Sequence, residues 1–212
     1  MRRLPRFAGL PSPAMFDSEC PRISPRPGFR RCSSRFAKLN PDIRVDVVGD
    51  RNTILNESLA RGDLDLALLW GDIDATPSGH KVAELPMVWI GPGSGFTHDP
   101  GRPFPLVAFA PPCIFRQKGI LALDMAEIAW ELVFSSPGLS SLCAAVSAGL
   151  GVMVRTPQFN MKGLRVLDAQ ASGLPALPHA CLTLRTGDPK PGAATERLQV
   201  VLAETLSAAG AS

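Results

Sequence analysis

The segment from Asn40 to Trp70, NPDIRVDVVGDRNTILNESLARGDLDLALLW, constrains the fold of this chain more than any other. Ile43, Val45 and Val47 alternate with charged residues, the period of a strand, and Val48 follows. Asn52 stands where a side-chain oxygen can accept from the open N–H groups of a first helical turn. Ile54, Leu55 and Leu59 then recur at helical spacing as a buried stripe, and Gly62 offers a left-handed exit. Leu64, Leu66, Ala67, Leu68 and Leu69 form a nearly continuous apolar run, as in a strand covered on both faces. Strand, helix and strand in that order make a βαβ unit, whose strands run parallel and whose working edge lies at the strand C-termini.

A second run of the same kind occupies the middle of the chain. Leu85 to Ile90 reads as a short apolar strand, and GPGSGFTHDPGRPFP after it reads as a loop. Leu106 to Ala110 is expected to be a strand, Phe115 to Asp124 a helix and Ala129 to Phe134 a strand. Ser135-Ser136-Pro137-Gly138 then starts a helix whose one face carries Leu139, Leu142, Cys143 and Val146. Gly149 and Gly151 end it before a strand at Val152 to Val154. A strand at Ala180 to Leu184 and a helix at about Ala193 to Ser207 close the chain, the helix turning Leu198, Val201, Leu202 and Leu206 inward.

Two parallel-sheet units predict an α/β protein of two Rossmann-like lobes with a ligand cleft between them. Lobe I is expected to hold residues 36–86 and 172–212, and lobe II residues 87–171, with crossings near Leu85 to Ile90 and near Leu164 to Leu174. Residues 1–35 differ abruptly. MRRLPRFAGLPSPAMFDSECPRISPRPGFRRCSSR is rich in Pro, Ser and Arg and has no period of strand or helix, so it is expected to be an irregular or disordered basic arm.

Composition excludes several classes. An apolar share of 45% supports an ordinary core, and a net charge of +3 is too mild to argue for nucleic acid. No apolar run is long enough to span a bilayer, and no apolar stretch follows the first arginines as in a secretory signal. The five cysteines contain no C-x-x-C pair, and the three histidines are far apart and lie in loop-like settings as surface residues. A structural metal is therefore not expected, and a reducing cytoplasm fits. No G-x-S-x-G elbow, P-loop, H-E-x-x-H or G-x-G-x-x-G after a strand occurs, so neither an enzyme nor a bound cofactor is expected.

The motifs also carry a resemblance. Asn40-Pro41-Asp42 with LARGDLDLALLW, then FSSPGLSSLCAAVSAGLGVMV, then GLRVLD followed by LPHACLTLR, resemble in order and spacing the effector-binding domain of LysR-type transcriptional regulators, over about residues 36–208. The resemblance implies a fold like that of type 2 periplasmic binding proteins, a small-molecule effector, homodimers or higher homo-oligomers, and control of transcription. It also implies an N-terminal winged helix-turn-helix. Residues 1–35 show no pair of helices joined by a tight turn, so contact with DNA is expected only through a part absent from this chain. Family members open this domain with a short apolar strand. PRISPRPGFRR stands in its place here, and foreign or mistranslated sequence is the favoured explanation.

Candidate effector contacts follow from residue chemistry and from the matching positions. Ser135, Ser136 and Ser140 cluster at a helix start, where free N–H groups and the positive dipole end suit a carboxylate, although capping alone explains one serine. Asn52 holds the equivalent helix start in lobe I, with a plain N-cap as its alternative role. Trp70 offers a flat apolar wall, or packs as a rim residue. Pro112 and Cys113 follow a lobe II strand, and Arg116 could pair with an anion bidentately or lie solvated on its helix. PPCIFRQ around Cys113 resembles a peroxide-sensing branch of the family, but the next cysteine is as distant as Cys143, and an ordinary lining thiol is the simpler reading. A solute-binding protein or a small enzyme could use the same two-lobed frame.

Overall fold

A computed structural model describes residues 6–9, 46–71, 79–157 and 162–210. The chain divides into two compact units, with boundaries at Leu85/Pro86 and His179/Ala180.

Unit 1 is built on a five-stranded sheet of order β2-β1-β3-β10-β4. Its strands are β1 (Arg6–Gly9), β2 (Asp46–Gly49), β3 (Leu66–Gly71), β4 (His80–Pro86) and β10 (His179–Thr186). The β1 strand runs parallel to both β2 and β3, whereas β10 is antiparallel to β3. Arg6–Gly9 therefore fills an inner place in the sheet, which corrects the expectation of an arm without a strand over residues 1–35. RFAG is too short to show a period; it is a strand because two neighbours supply its ladder partners. PRISPRPGFRR, and the predicted strand residues Ile43 and Val45, lie outside the described residues.

Helix α1 (Asn52–Ala60) buries Leu55 and Leu59 against Leu64, Ala67 and Leu69, while Ile54 is only half-buried. It ends as a Schellman turn: Gly62, at φ +73°, donates to Leu59, and Asp63 donates to Ser58. The closing helix α4 (Ala193–Gly210) buries Leu198, Val201, Leu202 and Leu206 as expected.

Unit 2 begins at β5 (Val88–Pro92), the middle strand of a β8-β5-β9 sheet with β8 (Met153–Arg155) and β9 (Leu164–Val166). Strand β6 (Phe104–Phe109) pairs parallel with β7 (Trp130–Ser136), and a parallel bridge between Leu106 and Val152 joins this pair to β8. The single strand expected over Leu85 to Ile90 is in fact two, β4 and β5, parted at Met87. His80 and Lys81 broke the apolar pattern from which β4 could have been read. The return to unit 1 also comes later than expected, at His179/Ala180 rather than within Leu164 to Leu174. Leu167 donates to Trp89, the Trp89 indole to Pro175, and Met87 to Pro178, so the chain stays tied to β5 until then.

Strand alternation decides which helix covers which face of unit 2. Ile90 and its partner Met153 lie under α3 (Leu139–Ser147), with Leu142, Cys143 and Val146. Trp89 and its partner Val154 lie under α2 (Ile114–Met125), which comes close enough at Gly119 that a Cβ there would stand 2.8 Å from Val154 Cγ2.

Helix α3 ends like α1, with Gly149 at φ +79°. Helix α2 makes the same turn, Glu127 donating to Asp124 and Ile128 to Leu123, but places the exposed Glu127 at φ +54°. Glu127→Gly is expected to raise stability by about 0.5–1 kcal/mol in urea unfolding, the left-handed strain relieved less the added freedom of the unfolded chain. A decrease would show that the turn is not strained.

Candidate functional site

The C-terminal ends of β6 and β7 carry most of the predicted residues. Phe109 and Ser136 are opposite each other in the parallel register, and the Ala110 N–H donates to the Ser136 carbonyl at 3.2 Å. Each strand leads into a helix after a short turn, so α2 and α3 both begin at this one edge, where a parallel sheet presents its ligand-binding groups. The N-cap of α2 is Cys113 and that of α3 is Gly138, and neither has a side-chain cap. The expected serine cap is thus corrected. Ser136 Oγ accepts from the Gly138 N–H at 3.1 Å, Ser135 is exposed, and Ser140 is half-buried in the first helical turn. Neither N-cap side chain is spent on its helix, and the positive dipole end of each helix lies at this edge.

Pro112 is exposed and joined to Pro111 by a cis peptide bond. The Cys113 thiol is half-buried and packs against the core that contains Cys143. Arg116 is not simply solvated: Nη1 donates to the Phe109 carbonyl at 3.2 Å, which holds the guanidinium over the end of β6 with further donors unused by that bond.

Beside this edge lies a residue the sequence reading passed over. Arg155, at the end of β8, is 5% exposed. Its guanidinium carbon stands 4.4 Å from the Phe115 ring centroid and 5.5 Å from that of Phe109. Burial lowers its pKa from the ordinary arginine value, while the nearby Cys113 and Cys143 thiols act in the opposite direction. A small cavity lined by Phe109, Cys113, Phe115, Arg116 and Arg155 adjoins it. The available signal was a charge ending the apolar run VMV, too weak in a three-residue strand to say that the side chain turns inward. Arg155→Lys is expected to cost about 1–2 kcal/mol by urea unfolding, because an ammonium cannot stack its plane on two rings. An unchanged midpoint would mean that the stacking contributes nothing.

In unit 1, Trp70 is 5% exposed within β3, so it is neither a rim residue nor an open wall. Asn52 is the first residue of α1 rather than its cap; the N-cap is Arg51, without a side-chain bond. The Asn52 carboxamide instead holds the Trp70 main chain, Nδ2 donating to the carbonyl and Oδ1 accepting from the N–H at 3.2 Å. Of the three predicted surface histidines, His80 and His179 are exposed. His98 is half-buried, its ring 5.3 Å from Phe104. Among the described residues no metal-binding cluster occurs, and no helix is long and apolar enough to cross a membrane.

This arrangement of parallel strands and helix starts is that of a small-molecule binding domain. The sequence profile of the LysR substrate binding domain matches residues 30–203, and the chain belongs to that family, as an effector-binding regulatory domain of a LysR-type transcriptional regulator with the type 2 periplasmic-binding-protein fold. It is 30% identical over 145 residues, 68% of its length, to the HTH-type transcriptional regulator PecT of Dickeya dadantii (strain 3937), and this match covers 45% of that relative. The fold is similar to the apo regulatory domain of HypT from Salmonella typhimurium, with a TM-score of 0.68 at 15% identity over 98% of this chain and 97% of that one. It is also similar to the effector-binding domain of QuiR in complex with shikimate, with a TM-score of 0.67 at 10% identity over 96% of this chain and 97% of that one.

Proposed function

We propose that this domain takes a small anionic effector at the carboxyl edge of β6 and β7, where two helices begin side by side without side-chain caps. That pair of helix starts is the observation that carries the reading. Their positive dipole ends suit a carboxylate, and the half-buried Ser136, Ser140 and Arg116 supply polar groups. Pro112, Cys113 and Ser135 border the same edge. QuiR, with its bound carboxylic acid shikimate, supports an anion for a domain of this fold. Trp70 lies in unit 1 with its side chain covered and is not among these groups.

The effector's binding is relayed to transcription by a DNA-binding part outside this chain, in a cytoplasmic protein that acts as a homodimer or higher homo-oligomer without catalysing a reaction. The outer face of α1, with Thr53, Glu57 and Ala60 exposed, together with β2, is the proposed contact between copies.

A thermal-shift screen of the 212-residue chain against small carboxylates, aromatic acids and amino acids tests the effector class. Stabilisation by a carboxylate, weakened in Arg116→Ala and in Ser136→Ala, is the expected result. Stabilisation by uncharged compounds alone would overturn it.

A further inference from the structure

We infer that Asn52 is a positioning residue that stands in for a strand neighbour of Trp70, and not a ligand contact at a helix start. In an extended strand the N–H and C=O of one residue point to the same side. At Trp70 both meet the Asn52 carboxamide. Trp70 therefore faces its β10 partner Leu182 as a non-hydrogen-bonded pair, and its polar groups turn to the opposite flank, that of β1. Among the described residues the β1–β3 register covers Leu66 and Ala67. A primary amide has the donor and acceptor of a peptide group, so the Asn52 side chain meets Trp70 as a strand neighbour would.

The orientation of the carboxamide is determined by its partners, because a main-chain carbonyl can only accept and an N–H only donate. A carboxamide offers the donor and the acceptor on separate atoms, as a peptide group does. The consequence is functional. The pair clamps the first residue of α1 to the end of β3, the edge at which a sheet of this kind presents ligand-binding groups, and it does so with both ends of the side chain already committed. This goes beyond the effector reading and does not depend on it, since no ligand enters the test.

The test uses the whole chain labelled with 5-fluorotryptophan, whose three tryptophans are assigned by phenylalanine replacement. In Asn52→Ala the Trp70 resonance should move and the Trp70 amide should exchange about tenfold faster, while the Trp89 and Trp130 resonances stay in place. Asn52→Asp keeps the acceptor and loses the donor, so it should restore part of the amide protection. An unmoved Trp70 resonance with unchanged exchange in Asn52→Ala would overturn the inference. Should Asn52→Ala fail to fold, Asn52→Asp and Asn52→Ser carry the same readout: a Trp70 signal like that of the wild type in both would overturn it equally.

Discussion

Replacing Trp89 with alanine should cost about 3–5 kcal/mol in urea unfolding, a large share of the roughly 5–15 kcal/mol that holds a domain together. Trp89 is 1% exposed on β5, the middle strand of its sheet, and stands edge-on to Phe104 with ring centroids 5.6 Å apart. Its removal opens a cavity beneath α2, where Gly119 lets the helix approach. It also withdraws the indole N–H that reaches the Pro175 carbonyl at 2.9 Å. Trp89→Phe keeps a ring, orphans that carbonyl and leaves part of the indole's space unfilled, and should cost less, about 1–3 kcal/mol. Val200→Ala, at a side chain 55% exposed, is the control and should stay within about 0.5 kcal/mol. A loss below about 1 kcal/mol for Trp89→Ala would show that unit 2 does not depend on this ring for its packing.

A carboxylate effector at about one hundred times its Kd should stabilise the folded domain by about 2.7 kcal/mol, because only the folded state offers the paired helix starts. For a chain of this size that corresponds to a rise of roughly 5–10 °C in the melting midpoint. The size of the shift follows from mass action, whereas its sensitivity to substitution reports the location. Ser136→Ala removes the oxygen that accepts from the Gly138 N–H, and Arg116→Ala removes a guanidinium held at the same edge by the Phe109 carbonyl. Both are expected to weaken the shift, and Asn52→Ala to leave it, since Asn52 lies in the other unit with its carboxamide engaged. A shift equally large in the Ser136 and Arg116 variants would move the site away from β6 and β7.

Much of the candidate edge was legible before the fold was known. The run from Ser135 to Gly138 marked a helix start, and α3 begins at Leu139. Pro111 and Pro112 marked the end of β6, and α2 begins at Ile114. The roles of single side chains were less legible. Asn52 and Ser136 have the chemistry of caps, yet the caps are Arg51 and Gly138, and the polar side chains bond elsewhere. An asparagine satisfies a helix end or a strand end with the same atoms, so the choice depends on which main chain comes within reach.

Local chemistry alone was enough for the order of elements and the stops. Apolar spacing at 3.6 or 2 residues specifies helix or strand within a few neighbours, and glycines at the left-handed turns after α1 and α3 end a helix without help from the rest of the chain. The family resemblance could likewise be read from motif order. Tertiary structure decided what depends on distant pairing. Arg6–Gly9 is a strand because β2 and β3 flank it, the Asn52 carboxamide is a ladder group because Trp70 lies beside it, and Arg155 is buried because two phenylalanine rings enclose its guanidinium. Each of these brings together segments far apart in sequence, and the ordering entropy is offset only once the whole sheet has formed.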